Sequence, residues 1–215
     1  MSKRIVFTMA AADPNGVAAD QTTAGAANLV LNGALATGGV ATMDYARHVS
    51  LESSADLRAV EFTVTGTDRF GNAITEAITG PNATTTTGAK NFKTITQIAV
   101  DGAVGTNVEV GSADEAETAW YPLDSYVHEG SVQIELATGA GLTYALQTTA
   151  DNVQAAGFQE NDAGVTIDST IYNKTASLRS VHMGQGRPGH ATAARIAVTG
   201  HTALGFTVTY LQQRR

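Results

Sequence analysis

Five histidines, His48, His128, His182, His190 and His201, could bind a metal or carry a proton near neutral pH, and they stand one to a segment. No two share the i, i+4 spacing that would put both imidazoles on one helix face, so no metal site is expected. There is no cysteine, which removes disulfides, thiolate ligands and a cysteine nucleophile together. Glu115, Glu117, Asp162 and Asp168 could supply an acid and base pair for glycoside chemistry if the fold gathered them, but nothing in their spacing selects two of them. Asp13-Pro14-Asn15-Gly16 with Asp20 lacks the alternating oxygen ligands and closing glutamate of a calcium loop and reads as a turn. Serine elbows of the G-x-S-x-G type, phosphate loops of the G-x-x-x-x-G-K type and dinucleotide fingerprints are missing. The expectation is a protein with no enzymatic activity and no cofactor.

Aromatic residues offer a better basis for ligand contact. Trp120, Tyr121 and Tyr126 crowd one short stretch and could line a sheet edge against a glycan or a protein partner. Trp120-Tyr121-Pro122-Leu123 equally suits a packed junction, because proline beside large aromatics pins connections and rarely occupies a central strand. The run from Met183 to His190 is rich in glycine, carries Arg187 between His182 and His190, and reads as an exposed loop.

The elements that must position these residues are strands. Val60, Phe62 and Val64 alternate with Glu61, Thr63 and Thr65, the period of two expected of a half-buried strand. Gly66 to Asn72 supplies turn chemistry, and Ile74, Glu76 and Ile78 return, so this segment predicts a hairpin ending at Gly80-Pro81-Asn82. Phe92 to Val100 and Asn107 to Val110 predict two more strands. Val132, Ile134 and Leu136 followed by Thr138 to Gly141 and then Leu142, Tyr144 and Leu146 predict a second hairpin. Val165 to Tyr172, Arg195 to Gly200 and Phe206 to Tyr210 complete the set, after a short opening strand at Arg4 to Thr8. Ala10 to Ala27, a stretch of Ala, Gly, Thr and Asp with little to bury, reads as a lightly anchored arm. Val64-Thr65-Gly66 before Gly71 and Val198-Thr199-Gly200 before Gly205 share a spacing, which is short enough to recur by chance in a Thr-rich β protein.

Composition points the same way. Charged residues make up 15% of the 215 positions, well under the usual quarter, and threonine takes over the polar role. Small and β-branched residues suit strands and tight turns and disfavour long helices. The net charge of −7, with a pI near 5.1, repels phosphate backbones and anionic headgroups, so direct contact with nucleic acid or membrane is not expected. The apolar runs are too short to span a bilayer, and Met1 to Thr8 has no leader character, so an intracellular, leaderless product is expected.

Together these features predict an all-β protein, an antiparallel β-sandwich of jelly-roll-like kind with two β units and an extended N-terminal arm. Residues 1–45 would form the arm and first strands, 46–120 the first unit and 121–215 the second. The segments Phe62 to Asn72, Glu76 to Asn82, Phe92-Lys93-Thr94-Ile95 and Val108-Glu109-Val110-Gly111 resemble small β-rich virion structural proteins of tailed bacteriophages. The closing run from Ala194-Arg195-Ile196 through Thr207 to Gln213 is similar to the final strands of such proteins, where a last hairpin completes a sandwich. The resemblance implies an assembly role and carries no site residues. It implies a structural subunit of the virion, assembled in the host cytoplasm, with capsid decoration (a cement protein bridging neighbours) slightly favoured. The alternatives are a tail or head-to-tail component, or a receptor- or carbohydrate-binding module of a tail fibre. Expected partners are further copies of the chain in a symmetric homo-oligomer, and other virion proteins such as the major capsid protein or tail proteins.

Overall fold

The structure is a computed structural model that describes residues 2–123, 129–136, 142–149, 151–155, 158, 167–170, 179–183, 192–201 and 204–213. The protein is all-β and antiparallel, with no helix among the described residues. It divides into two compact units, one of Ala12–Ala116 and one of Met1–Ala11 with Glu117–Arg215. The division falls near the expected junction at Trp120, but the opening strand belongs with the C-terminal half. The chain therefore leaves one unit after Ala11 and re-enters it at Glu117.

In chain order the strands are β1 (Ser2–Met9), β2 (Asp13–Thr23), β3 (Ala27–Asn28), β4 (Ala36–Thr37), β5 (Val40–Ser53), β6 (Glu61–Thr67), β7 (Ala73–Thr79), β8 (Thr85–Thr87), β9 (Phe92–Val100) and β10 (Val104–Glu117). They continue as β11 (Tyr121–Pro122), β12 (Glu129–Leu136), β13 (Leu142–Thr149), β14 (Ile167–Thr170), β15 (Arg179–Met183), β16 (Ala193–His201) and β17 (Leu204–Gln213).

The unit of residues 12–116 is built on the strand order β10-β5-β9-β6-β7, with β2 against β10, β3 against β9, and both β4 and β8 against β5. Alternation drives it: Phe62 and Val64 are fully buried while Thr63 and Thr65 between them are half-exposed. Their side chains join Val49, Leu51, Ile95, Ile98, Val104, Val108 and Val110 in one core. Each large aliphatic or aromatic side chain so buried contributes about 1.5–3 kcal/mol. The expected hairpin of β6 and β7 is present, with Phe62 opposite Ile78 and Gly66 opposite Ile74. Gly66 also faces β9 so closely that a Cβ there would lie 1.9 Å from the Thr94 carbonyl oxygen, so only glycine fits. Gly71 closes the turn at φ +85°, in the left-handed region.

The arm expected over Ala10 to Ala27 is instead largely strand. β2 pairs with β10, and its Val17 and Ala18 are fully buried. The Asp13-Pro14-Asn15-Gly16 turn is likewise absorbed into the start of β2, where the Asp13 N–H donates to Ser112 Oγ at 3.0 Å. The β2–β10 ladder shifts register between Val104 and Val108, Val108 and Val110, and Val110 and Ser112. A strand interrupted that often keeps no period of two, which is why its sequence looks unstructured.

The other unit has one sheet in the order β1-β17-β12-β15 and a second set in the order β14-β13-β16, with β11 against β16. β1 pairs with β17 along its whole length, from Ser2 opposite Leu211 to Met9 opposite Leu204. Two expected hairpins are corrected here. β12 pairs with β15 and β17, whereas β13 pairs with β14 and β16, so these consecutive strands lie in different sheets. β16 and β17 part in the same way. A connecting turn fixes a hairpin only when both strands prefer each other over distant partners, and here β12 and β13 each pair along their whole length with a distant strand.

Candidate functional site

Among the described residues of the unit that holds Glu117–Arg215, a group of charged and aromatic side chains gathers where β10 ends and β11 begins. Residues 117–118 run beside β16: the Thr118 N–H donates to the Ile196 carbonyl at 3.0 Å, and the Ile196 N–H donates to Thr118 Oγ1 at 3.0 Å. This exchange places Glu117 next to Arg195, and Arg195 Nη1 ion-pairs with Glu117 Oε2. Arg195 Nε donates to Gln147 Oε1 on β13 at 2.6 Å, and the guanidinium carbon sits 4.4 Å from the centroid of the Trp120 ring. Arg195 is 2% exposed and Glu117 8%. The pair is therefore desolvated, and such a pair holds only when every donor is engaged. The remaining surface of Trp120 packs against Val153, Ala193 and the half-buried Phe158.

Tyr121 is half-buried and stacks on Tyr210 of β17, with ring centroids 4.4 Å apart and planes 17° apart. Tyr210 is itself 1% exposed, and its hydroxyl finds no hydrogen-bond partner among the described residues. Burial, with Tyr121 adding to it, pushes its phenol above the ordinary tyrosine value. Of the residues named from sequence as a contact edge, Trp120 is buried and Tyr121 half-buried. One face of Trp120 lies under a guanidinium, and one face of Tyr121 lies against another ring. Tyr126 falls outside the described residues. This arrangement ties the segment leading into β11 to β16 and β17 and leaves Tyr121 in part exposed.

The unit of residues 12–116 buries charge in the same manner. Arg47, 1% exposed, forms a forked pair with Asp44, Nε to Oδ1 at 2.7 Å and Nη2 to Oδ2 at 2.9 Å, and its Nη1 donates to the Ala113 carbonyl at 3.1 Å. Asp68, also 1% exposed, accepts from the N–H groups of Phe70 at 2.8 Å and Asn72 at 2.9 Å and from Asn72 Nδ2 at 3.0 Å. The β6–β7 turn is organised by that single carboxylate.

Of the other sequence candidates, His48 is half-buried on β5, while His182 and His201 lie in the backbones of β15 and β16. His128, His190 and Asp162 fall outside the described residues, as does the loop from Gly184. Sequence reasoning missed a group of carboxylates drawn from three strands. Glu109 of β10 has its carboxyl raised above the ordinary value by burial first, then by the charges of Asp20 and Glu52, a hydrogen bond with Asp20 and the charge of Asp13. No local spacing links residues 13, 20, 52 and 109, so only the sheet reveals the group. Among the described residues no group of His, Cys, Asp and Glu is arranged to hold a metal ion. Sequence also missed the buried arginines, although Arg195 inside the apolar run Ala193 to Val198 was a usable signal, because a charge there must find a partner.

No family model, curated protein or solved structure matches the chain.

Proposed function

We propose that this protein is a non-enzymatic structural subunit of a tailed-bacteriophage virion, with a place as a capsid decoration protein favoured over one in the tail. The observation that supports this reading is the use made of its buried charged side chains. Arg195, Glu117, Arg47 and Asp68 each bind one another, an amide or the backbone, and so brace strands and turns against separation. A reaction centre would hold such groups ready for a substrate, while a scaffold engages them permanently. The eight-residue ladder between β1 and β17 adds to the argument, because it ties the opening strand to the closing strand in one sheet.

The test is stepwise disruption of purified virions, by heat or by chelator, with the chain followed by mass spectrometry and negative-stain microscopy. Hundreds of copies released as the capsid weakens support decoration. A few copies that remain with tails move the protein to the tail or the head-to-tail junction. Absence from the particle overturns the reading. The tail-fibre alternative is checked by glycan binding: a wild-type signal abolished in Trp120→Ala but kept in Trp120→Phe would favour it.

A further inference from the structure

β7 closes the strand order β10-β5-β9-β6-β7 and pairs with β6 alone, so its outer edge ends the row. The ladder fixes which groups lie on that edge. The Gly80 N–H donates to the Val60 carbonyl on the β7 side of β6, whereas the Glu61 carbonyl accepts from the Asp101 N–H on the other side. In the alternation of an antiparallel ladder, Phe62, Val64 and Gly66 therefore exchange hydrogen bonds with Ile78, Glu76 and Ile74, and the N–H and C=O groups of Ala73, Thr75, Ala77 and Thr79 point outward. These four side chains are exposed and uncharged, and no proline interrupts Ala73–Thr79. An edge of that kind is a template for another strand.

The edge is closed from within the chain. Glu76, at the middle of β7, shares the inward face with the buried Ile74 and Ile78, and its carboxylate accepts from the N–H groups of Ala89 at 2.5 Å and Lys90 at 3.2 Å. Lys90 Nζ in turn donates to the outward carbonyl of Thr75 at 2.9 Å. Residues 88–90, between β8 and β9, are thereby strapped to β7, and the Gly88 N–H ties the same strap to the Val49 carbonyl of β5 at 2.8 Å. The strap lies so near that a Cβ on Gly88 would stand 2.6 Å from Glu76 Oε2 and 2.9 Å from Ile78 Cδ1. An inward-pointing charge and a lysine on the edge are two devices that keep strand edges from pairing, and here one strap joins them.

We infer that Glu76 and Lys90 form a latch that closes the β7 edge against strand addition by a second copy of this chain. The second copy is the partner to exclude, because the edge is complementary to itself. A two-fold axis at Glu76 sets Thr75 against Ala77 of the other copy and Ala73 against Thr79, so that every outward N–H meets a carbonyl. In that pairing the two Glu76 residues stand directly opposite, like charge against like, and Lys90 occupies the Thr75 carbonyl that the incoming strand needs. The latch therefore directs self-association of the chain to other surfaces, and it holds whether or not the chain belongs to a virion.

Sedimentation at high micromolar concentration tests this. The double variant Glu76→Thr with Lys90→Thr opens the edge, and self-association tightens by about tenfold or more over wild type. Ala77→Pro added to that variant removes the gain, because the Ala77 N–H faces outward and takes no part in the β6 ladder. Ala77→Pro alone sediments as wild type, since the latched edge is not in use. Hydrogen exchange at the Val64 amide, which lies in the β6–β7 ladder, shows whether each variant keeps its hairpin. Where the double variant loses it, the test passes to Lys90→Thr alone, with a smaller gain of the same kind expected. A variant that keeps its hairpin and sediments as wild type, or a gain that survives Ala77→Pro, overturns the inference. So does a wild-type assembly that Ala77→Pro weakens, because the edge would then be open.

Discussion

The guanidinium of Arg195 lies 4.4 Å from the ring centroid of Trp120 and is ion-paired to Glu117, so the sole tryptophan of the chain reports on a buried charge pair. Any loss of that pair is visible in the emission of one residue.

Removing one member of a buried pair leaves the other charge without compensation, at a cost of about 3–5 kcal/mol. Arg195→Ala is therefore expected to lose that much stability, and the double variant Arg195→Met with Glu117→Leu to recover most of it. Urea unfolding followed by Trp120 fluorescence measures both. An Arg195→Ala midpoint unchanged from wild type contradicts the assignment.

Tyr210 presents the opposite case, a buried hydroxyl with no partner among the described residues. Tyr210→Phe keeps the stack on Tyr121 and removes the unsatisfied group, so it should be neutral or stabilising by up to about 1–2 kcal/mol. Thermal unfolding decides, and a loss above about 1 kcal/mol would mean that the hydroxyl is bonded after all.

Asp68 organises the β6–β7 turn through two amide N–H groups and one side-chain amide. Asp68→Ala orphans these donors beside a buried site and should cost about 2–3 kcal/mol. Hydrogen exchange at the Phe70 and Asn72 amides should accelerate more than exchange at Val64 or Ile98. Uniform acceleration would point to global destabilisation without a special role for the turn.

Glu109 supplies a pH dependence with a definite sign. Its carboxyl is raised in the folded chain, so its favourable contribution is present below the ordinary value of 4.5 and is lost as pH rises through the folded value. Glu109→Gln should accordingly raise the midpoint of denaturation at pH 7 to 8 and change it little near pH 4. The effect is modest because solvent screens this partly exposed group. A Gln variant less stable than wild type at pH 8 contradicts the sign.

The sequence alone determined the all-β class and the strand at Glu61–Thr67 with its return over Ala73–Thr79, because alternation and a glycine turn are local properties that local sterics enforce. Tertiary structure decided which strands pair. β12 and β13 adjoin in the chain yet join different sheets, and β1 finds β17 some two hundred residues away, because a ladder is chosen by the whole set of available partners. Tertiary structure likewise decided that Ala18 belongs to a core and that Arg195 is buried. An irregular ladder erases the period that marks a strand, and a buried charge is legible only through the partner that compensates it.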